Sequence, residues 1–261
     1  MKRVAFLRSL LITDPLIILA TIACGALSLV LSFFDPNRHK QNAMARAWAQ
    51  VLLAVSRVRV NVEGLDKIKE DGSYVFVSNH LSYMDTPVAL ANIPVQFRFL
   101  AKRGLFQIPF MGWHLARAGH IPVPRGDARA AVKTMTLAAQ IIREQGISLL
   151  IFPEGGRSRK GELRPFMEGA AYIAIRAGVP LVPVGLRGTR EVLPYGSGTI
   201  RGGPVTMRIG DPIPTGQATL RDRLHLTEFL RERIIELAEE RPQNSYAKQN
   251  LPAQNLSNTD S

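Results

Sequence analysis

Between Pro15 and Phe34 the chain runs for 20 residues, PLIILATIACGALSLVLSFF, without a charged side chain. A helix that is apolar all round belongs in lipid or in the centre of a large core. This run is as long as an α-helix needs to be to cover a bilayer core of about 30 Å. A secretory signal would instead have an apolar region of about 7–15 residues ending in a small-residue cleavage site, and neither feature is clear. Basic residues stand on both sides, Lys2, Arg3 and Arg8 before and Arg38, Lys40 and Arg46 after. The charge asymmetry that orients a spanning helix therefore gives no direction. A second, shorter apolar stretch opens AWAQVLLAVSRVRV at residues 47–60 and could lie along the first. Attachment to the cytoplasmic face of an inner membrane is expected, either single-pass or monotopic.

Beyond this start, short β-rich runs alternate with amphipathic segments, the pattern of an α/β domain with a mostly parallel sheet flanked by helices. SRVRVNVEG (56–64) alternates like an edge strand, whereas SYVFVSN (73–79) and ISLLIF (147–152) are apolar throughout, like strands covered on both faces. PLVPVGL (180–186) is also strand-like, but Pro183 argues for an edge or a bulge. DARAAVKTMTLAAQIIREQG has Asp127 to cap a helix start and Gly146 to stop it. EGAAYIAIRAG and LRDRLHLTEFLRERIIELAEE read as further helices. The expected organisation is membrane-associating helices over 1–56, an α/β domain over 57–241 and a disordered tail over 242–261, where Asn, Gln and Ser replace apolar residues. The single cysteine, Cys24, excludes an intrachain disulfide and a multi-cysteine zinc site. The 33 basic and 21 acidic residues leave a charge of +12, which calls for an anionic partner: nucleic acid, a membrane surface or a phosphorylated substrate. No nucleic-acid motif and no interleaving of basic with stacking aromatic residues is present, so nucleic acid is not expected.

Two loops carry residues suited to chemistry. In VSNHLSYMDTPVAL (77–90) the strand gives way near Ser78, and Asp85 or Thr86 followed by Pro87 reads as a helix start. Residues five apart on a continuous helix diverge by about 140°, but a loop can fold the Asp85 carboxylate back on His80. Asp85 would then hold one ring nitrogen and leave the other as a base, although a lone histidine beside a capping aspartate is more often structural. Ser82 lacks the setting of a nucleophile. The second loop, FPEGGRSRKGEL (152–163), leaves a buried strand at its carboxyl end, where open α/β sheets bind ligands. Gly155 and Gly156 allow close backbone approach, Arg157 offers a planar fork for phosphate, and Arg159 and Lys160 add positive field.

NHLSYMD (79–85), AKRGLFQIPFMGW (101–113), FPEGGRS (152–158) and VPLVPVGLRG (179–188) resemble, in order, the four motif blocks of the glycerolipid acyltransferases, those acting on 1-acylglycerol-3-phosphate in particular. The resemblance implies that His80 and Asp85 are catalytic. It also implies that Glu154, Gly155, Arg157 and Ser158 form a substrate motif, joined by Lys102, Arg103 and Arg125 in holding the acceptor. Gly156 departs from the threonine usual in that block. The implied reaction moves an acyl group from acyl-CoA or acyl carrier protein to the free hydroxyl of lysophosphatidate, giving phosphatidate at an anionic membrane surface. Another lysophospholipid or a lyso-aminolipid is the alternative acceptor. No cofactor is implied, and no third ligand accompanies His80 and Asp85 at a spacing that suggests a metal.

Overall fold

The computed structural model describes residues 2–108, 110–124, 126–159 and 161–239. The expected tail over 242–261, Lys160 and the candidate Arg125 lie outside the described residues. Among the described residues seven strands form one sheet: β1 (Val58–Glu63), β2 (Val75–Ser78), β3 (Phe97–Lys102), β4 (Ile121–Val123), β5 (Ser148–Ile151), β6 (Leu181–Arg187) and β7 (Gly203–Ile209), in the order β1-β7-β6-β2-β5-β3-β4. All neighbours are parallel except β6 and β7. The mostly parallel α/β sheet is as expected, with β1 at one edge and β2 and β5 in the middle.

Parallel strands need helical crossovers, and these cover both faces. On one face Phe76 and Leu150 pack with Ala49 and Leu53 of α3 (His39–Val55) and Val88 of α4 (Asp85–Asn92). On the other, Val75, Val77, Leu149 and Ile151 meet α6 (Ala128–Gln145), α7 (Gly169–Ala177) and α9 (Arg223–Ala238). Asp127 caps α6 by accepting Ala130 N–H at 3.0 Å, and Gly146 closes it in left-handed backbone. The short α5 (Met111–Arg117) and α8 (Thr189–Val192) complete the crossovers.

The sequence reading placed β6 at an edge or a bulge because of Pro183, and it lies instead between β7 and β2. Pro183 accepts Gly210 N–H at 2.9 Å through its carbonyl. In an extended strand its missing N–H would point the same way, towards β7. There the last ladder pair is Val184 with Ile209, so the proline faces the point where β7 ends and interrupts only one bond.

The apolar run forms α2 (Asp14–Leu31), joined through a π-helical turn over Ser9–Thr13 to α1 (Lys2–Arg8). The continuous stretch Arg3–Leu31 has 29 residues and a mean hydropathy of 2.1 in its most apolar window. It packs along α3, where Trp48 Nε1 donates to Thr21 Oγ1 at 3.0 Å. Both of its ends are tied to the body. Arg8 Nη2 donates to Arg201 O at 2.7 Å, and Ile200 N–H to Ser9 Oγ at 2.9 Å. At the other end Arg38 Nε donates to Arg117 O at 3.0 Å. The outward side keeps Leu11, Leu19 and Ile22 between 63 and 68 % exposed.

Candidate active site

At the carboxyl end of β2, Asn79 fastens the chain to β6: its side chain donates to Leu186 O and accepts Leu186 N–H, both at 2.8 Å. The next residue, His80, is thereby set at the carboxyl edge of the sheet. Its Nδ1 lies 2.8 Å from Asp85 Oδ2. The same carboxylate oxygen accepts the N–H groups of Leu81 and Ser82, each at 2.8 Å. The turn between the two residues thus folds back as the five-residue spacing required. Asp85 is not the cap expected before the helix but the first residue of α4, with its side chain turned back into the loop. Fully buried, the Asp85 side chain turns Oδ2 on two backbone N–H groups and on the ring, and so serves as an acceptor. A carboxylate can only accept, so Nδ1 carries the proton and Nε2 is left as the basic nitrogen.

The second loop meets the first. Phe152, just beyond β5, stacks on the His80 ring with centroids 4.0 Å apart. Glu154 Oε1 accepts His80 N–H at 2.7 Å, and Oε2 accepts Arg164 N–H at 3.1 Å. Burial raises the Glu154 pKa, opposed by the Arg164 and His80 N–H bonds and by the His80 ring, while the Asp85 charge raises it further. Gly155 has φ +66°, and a Cβ there would come 2.8 Å from Met167 Cε, so glycine fits both the backbone and the space. Ser158 is buried, and its Oγ accepts Gly161 N–H at 3.1 Å, which shapes the loop. Ser82 is buried too: it donates to Leu193 O at 2.9 Å and accepts Met84 N–H at 3.1 Å, the bonding of a structural hydroxyl.

Arg157 lies with its guanidinium carbon 3.2 Å over the Tyr83 ring and 5.0 Å from the Tyr195 centroid. A guanidinium stacked by its face keeps its in-plane donors for an anion. Arg157, Arg159, Arg164, Ser158 and Tyr195 contribute to the wall of a pocket of about 490 Å3. Lys102, at the end of β3, and Arg103, in the following turn, are exposed at the same carboxyl edge. β5 and its loop lie between β2 and β3, so Lys102 and His80 flank the Arg157 loop. Sequence reasoning did not single out Phe152, Tyr83, Tyr195 or Arg164. Tyr83 sits inside the first motif and was open to notice; Tyr195 has no local signal, because only the fold brings it to the loop.

An imidazole held by a buried carboxylate, stacked on an aromatic ring and joined to the loop that walls a basic pocket, can accept a proton from a hydroxyl whose anionic group that loop holds. On an open α/β sheet, that arrangement is suited to general-base chemistry on a hydroxyl that carries an anionic group. Comparison with known proteins narrows this class. Residues 59–187 match the family Acyltransferase. A chloroplastic 1-acyl-sn-glycerol-3-phosphate acyltransferase of Arabidopsis thaliana is 36 % identical over 71 % of this chain and 52 % of its own. One from Borreliella burgdorferi is 29 % identical over 75 % of this chain and 78 % of its own. The crystal structure of the 1-acyl-sn-glycerophosphate acyltransferase PlsC from Thermotoga maritima superposes with a TM-score of 0.73 at 27 % identity, covering 90 % of this chain and 95 % of that one. The chain belongs to the acyltransferase family. It spans about half the length of the plant relatives it matches, 52 and 54 %.

Proposed function

We propose that the protein transfers an acyl group from acyl-CoA or acyl carrier protein to the free hydroxyl of 1-acylglycerol-3-phosphate, forming phosphatidate. The observation that carries this reading is the 2.8 Å contact of His80 Nδ1 with Asp85 Oδ2 beside the Arg157 pocket. His80 Nε2 takes the hydroxyl proton as the acceptor oxygen attacks the thioester carbonyl. The tetrahedral intermediate collapses with loss of the thiolate, which leaves as the thiol once protonated. Arg157 holds the acceptor phosphate, with Lys102 and Arg103 adding charge at the same edge; fixing a reactant in this way contributes several kcal/mol. Arg125 is assigned to the acceptor on the family resemblance alone. Glu154 does not touch substrate in this scheme but holds the His80 backbone against the second loop. A different lysophospholipid or a lyso-aminolipid would be served by the same base, with the phosphate pocket setting the choice.

The apolar hairpin brings this site to its lipid. A helix bonded to one body at both ends lies along that body, which supports a monotopic reading, dipping into the cytoplasmic leaflet instead of crossing it. The net charge of +12 favours an anionic leaflet, where each basic residue near the surface contributes about 1 kcal/mol. The test is transfer from a radiolabelled acyl thioester to lysophosphatidate by the intact protein and by His80→Ala. Labelled phosphatidate from the intact protein, lost in the variant, is expected. Full activity in His80→Ala overturns the base, and transfer to other lysolipids only overturns the acceptor.

A further inference from the structure

Positive charge also collects far from the candidate active site, at the amino edge of the sheet, where the turn between α2 and α3 packs on the end of α5. Ser32, Asp35, Pro36, Arg38, Ala116 and Arg117 line a pocket there of about 430 Å3. Arg38 is held in left-handed backbone, φ 60°, which costs a residue with a Cβ about 1–2 kcal/mol. Its Nε donates to Arg117 O. The Arg117 guanidinium lies 4.1 Å over the Phe33 ring, and of its in-plane donors Nη1 reaches Ser32 Oγ in a long bond of 3.4 Å. Arg98, 3 % exposed at the start of β3, interacts with the charges of Arg38 and Asp35; its Nη1 donates to Phe97 O at 3.3 Å, and its Nε and Nη2 have no partner among the described residues. Burial, then Arg38, lowers its pKa to about 10, with Asp35 opposing. The Asp35 oxygens already accept the N–H groups of His39 and Gln41 at 3.1 and 2.9 Å. The carboxylate that lines this pocket beside Arg38 and Arg117 is therefore committed to the start of α3.

We propose that this elbow binds the phosphate of an anionic membrane phospholipid, with Arg38 and Arg117 as its ligands and Arg98 supplying field from beneath. A paired guanidinium suits phosphate geometrically as well as electrostatically. The lipid source follows from position: the elbow closes the apolar hairpin, and Phe33 and Phe34, 69 and 72 % exposed, stand beside it where acyl chains would lie. The elbow does not compete with the acceptor. Arg98 is four residues before Lys102 on β3, roughly 13 Å away along an extended strand. The proposal does not depend on the acyl-transfer reading.

The test uses the full-length protein in neutral detergent, modified with phenylglyoxal and read arginine by arginine by mass spectrometry. Dihexanoyl phosphatidylglycerol below its micellar concentration is expected to slow modification of Arg117 by at least about fivefold, the equivalent of about 1 kcal/mol. Arg143, exposed at the end of α6 on the opposite face, should react unchanged. No selective protection of Arg117 overturns the site, and equal protection by the same concentration of inorganic phosphate overturns the lipid assignment. A second measurement compares Arg117→Gln with Arg143→Gln, an equal loss of charge, in flotation with phosphatidylglycerol-containing vesicles. The elbow variant should bind at least about fivefold more weakly than the control; equal binding overturns the proposal.

Discussion

The ring of Phe152 lies parallel to that of His80, 4.0 Å away with an interplanar angle of 16°, and Phe99 continues the stack 6.4 Å beyond Phe152. Asp85 holds the imidazole by its edge and Phe152 by its face, so the direction of Nε2 is set by the start of α4 and the loop after β5 together. Loss of one aromatic contact of this kind is worth about 0.5–1.5 kcal/mol. Phe152→Leu is expected to lower kcat by up to about tenfold with an unchanged KM for the acceptor, because the ring is loosened and the phosphate pocket is not. Steady-state kinetics against both substrates checks this. An effect on acceptor KM alone would place Phe152 in binding instead.

Asp85→Asn tests the tautomer. Oδ2 accepts three N–H groups, and Oδ1 is buried with no partner among the described residues. An asparagine must aim its amide nitrogen either at those donors or into a site that holds no acceptor. A stability loss of about 1–3 kcal/mol is expected for the group left unpaired. A fall in kcat of about 10²–10⁴ should accompany it as His80 loses its fixed orientation. Thermal unfolding and turnover are measured on the same preparation, and unchanged turnover would remove Asp85 from the mechanism.

Glu154 joins the two loops by accepting one N–H from each, His80 and Arg164. Glutamine can accept only one of them and must turn donors on the other. Glu154→Gln is therefore expected to unfold about 1–3 kcal/mol more easily and to lose turnover. Glu154→Asp, one methylene short, should lose turnover with a smaller change in acceptor KM. Rescue of full activity by either variant would show that the two backbone bonds do not matter.

The hairpin reading makes a separate prediction. Leu19 and Ile22 are 63 and 64 % exposed on the side of α2 that faces away from the body, and a buried side chain of this size contributes about 1.5–3 kcal/mol. Leu19→Glu and Ile22→Glu should each weaken flotation with vesicles by about tenfold or more while activity on detergent-dispersed acceptor persists. Unchanged flotation would argue against α2 as the membrane contact.

Legibility in the sequence followed the range of the interactions. The central strands SYVFVSN and ISLLIF were readable because burial on both faces removes alternation, and the His80–Asp85 contact because one turn joins its members. Pro183 misled because a local rule about proline cannot know that β7 ends beside it. β3 and β7 were not singled out: FRFLAK carries Arg98 and lies against a motif read for its chemistry, and GPVTMRI opens with glycine and proline. Tyr195 and the elbow cations were out of reach for a different reason. Their partners are supplied by chain folding, Tyr195 to Arg157 and Arg98 to Arg38, and no spacing in the sequence encodes them.

His120, just before β4, ties stability to pH. Its Nδ1 accepts Phe99 N–H at 3.0 Å, a bond that requires an unprotonated nitrogen. Burial, followed by the positive charges of Arg98, His114 and Arg38, lowers its pKa from 6.5 to about 3. The unfolded chain takes up this proton near pH 6.5, while the folded chain does so only near pH 3. Between the two values the unfolded state binds more protons, so stability falls as the pH falls, by about 1.4 kcal/mol per unit from this group. Above the upper value the contribution is constant. His120→Gln retains an acceptor for Phe99 N–H and removes the titration. From pH 7 to pH 5 the parent protein should lose about 2 kcal/mol more unfolding free energy than the variant. Equal losses in the two proteins, measured by chemical denaturation in the same detergent, would show that His120 is protonated without penalty in the folded state.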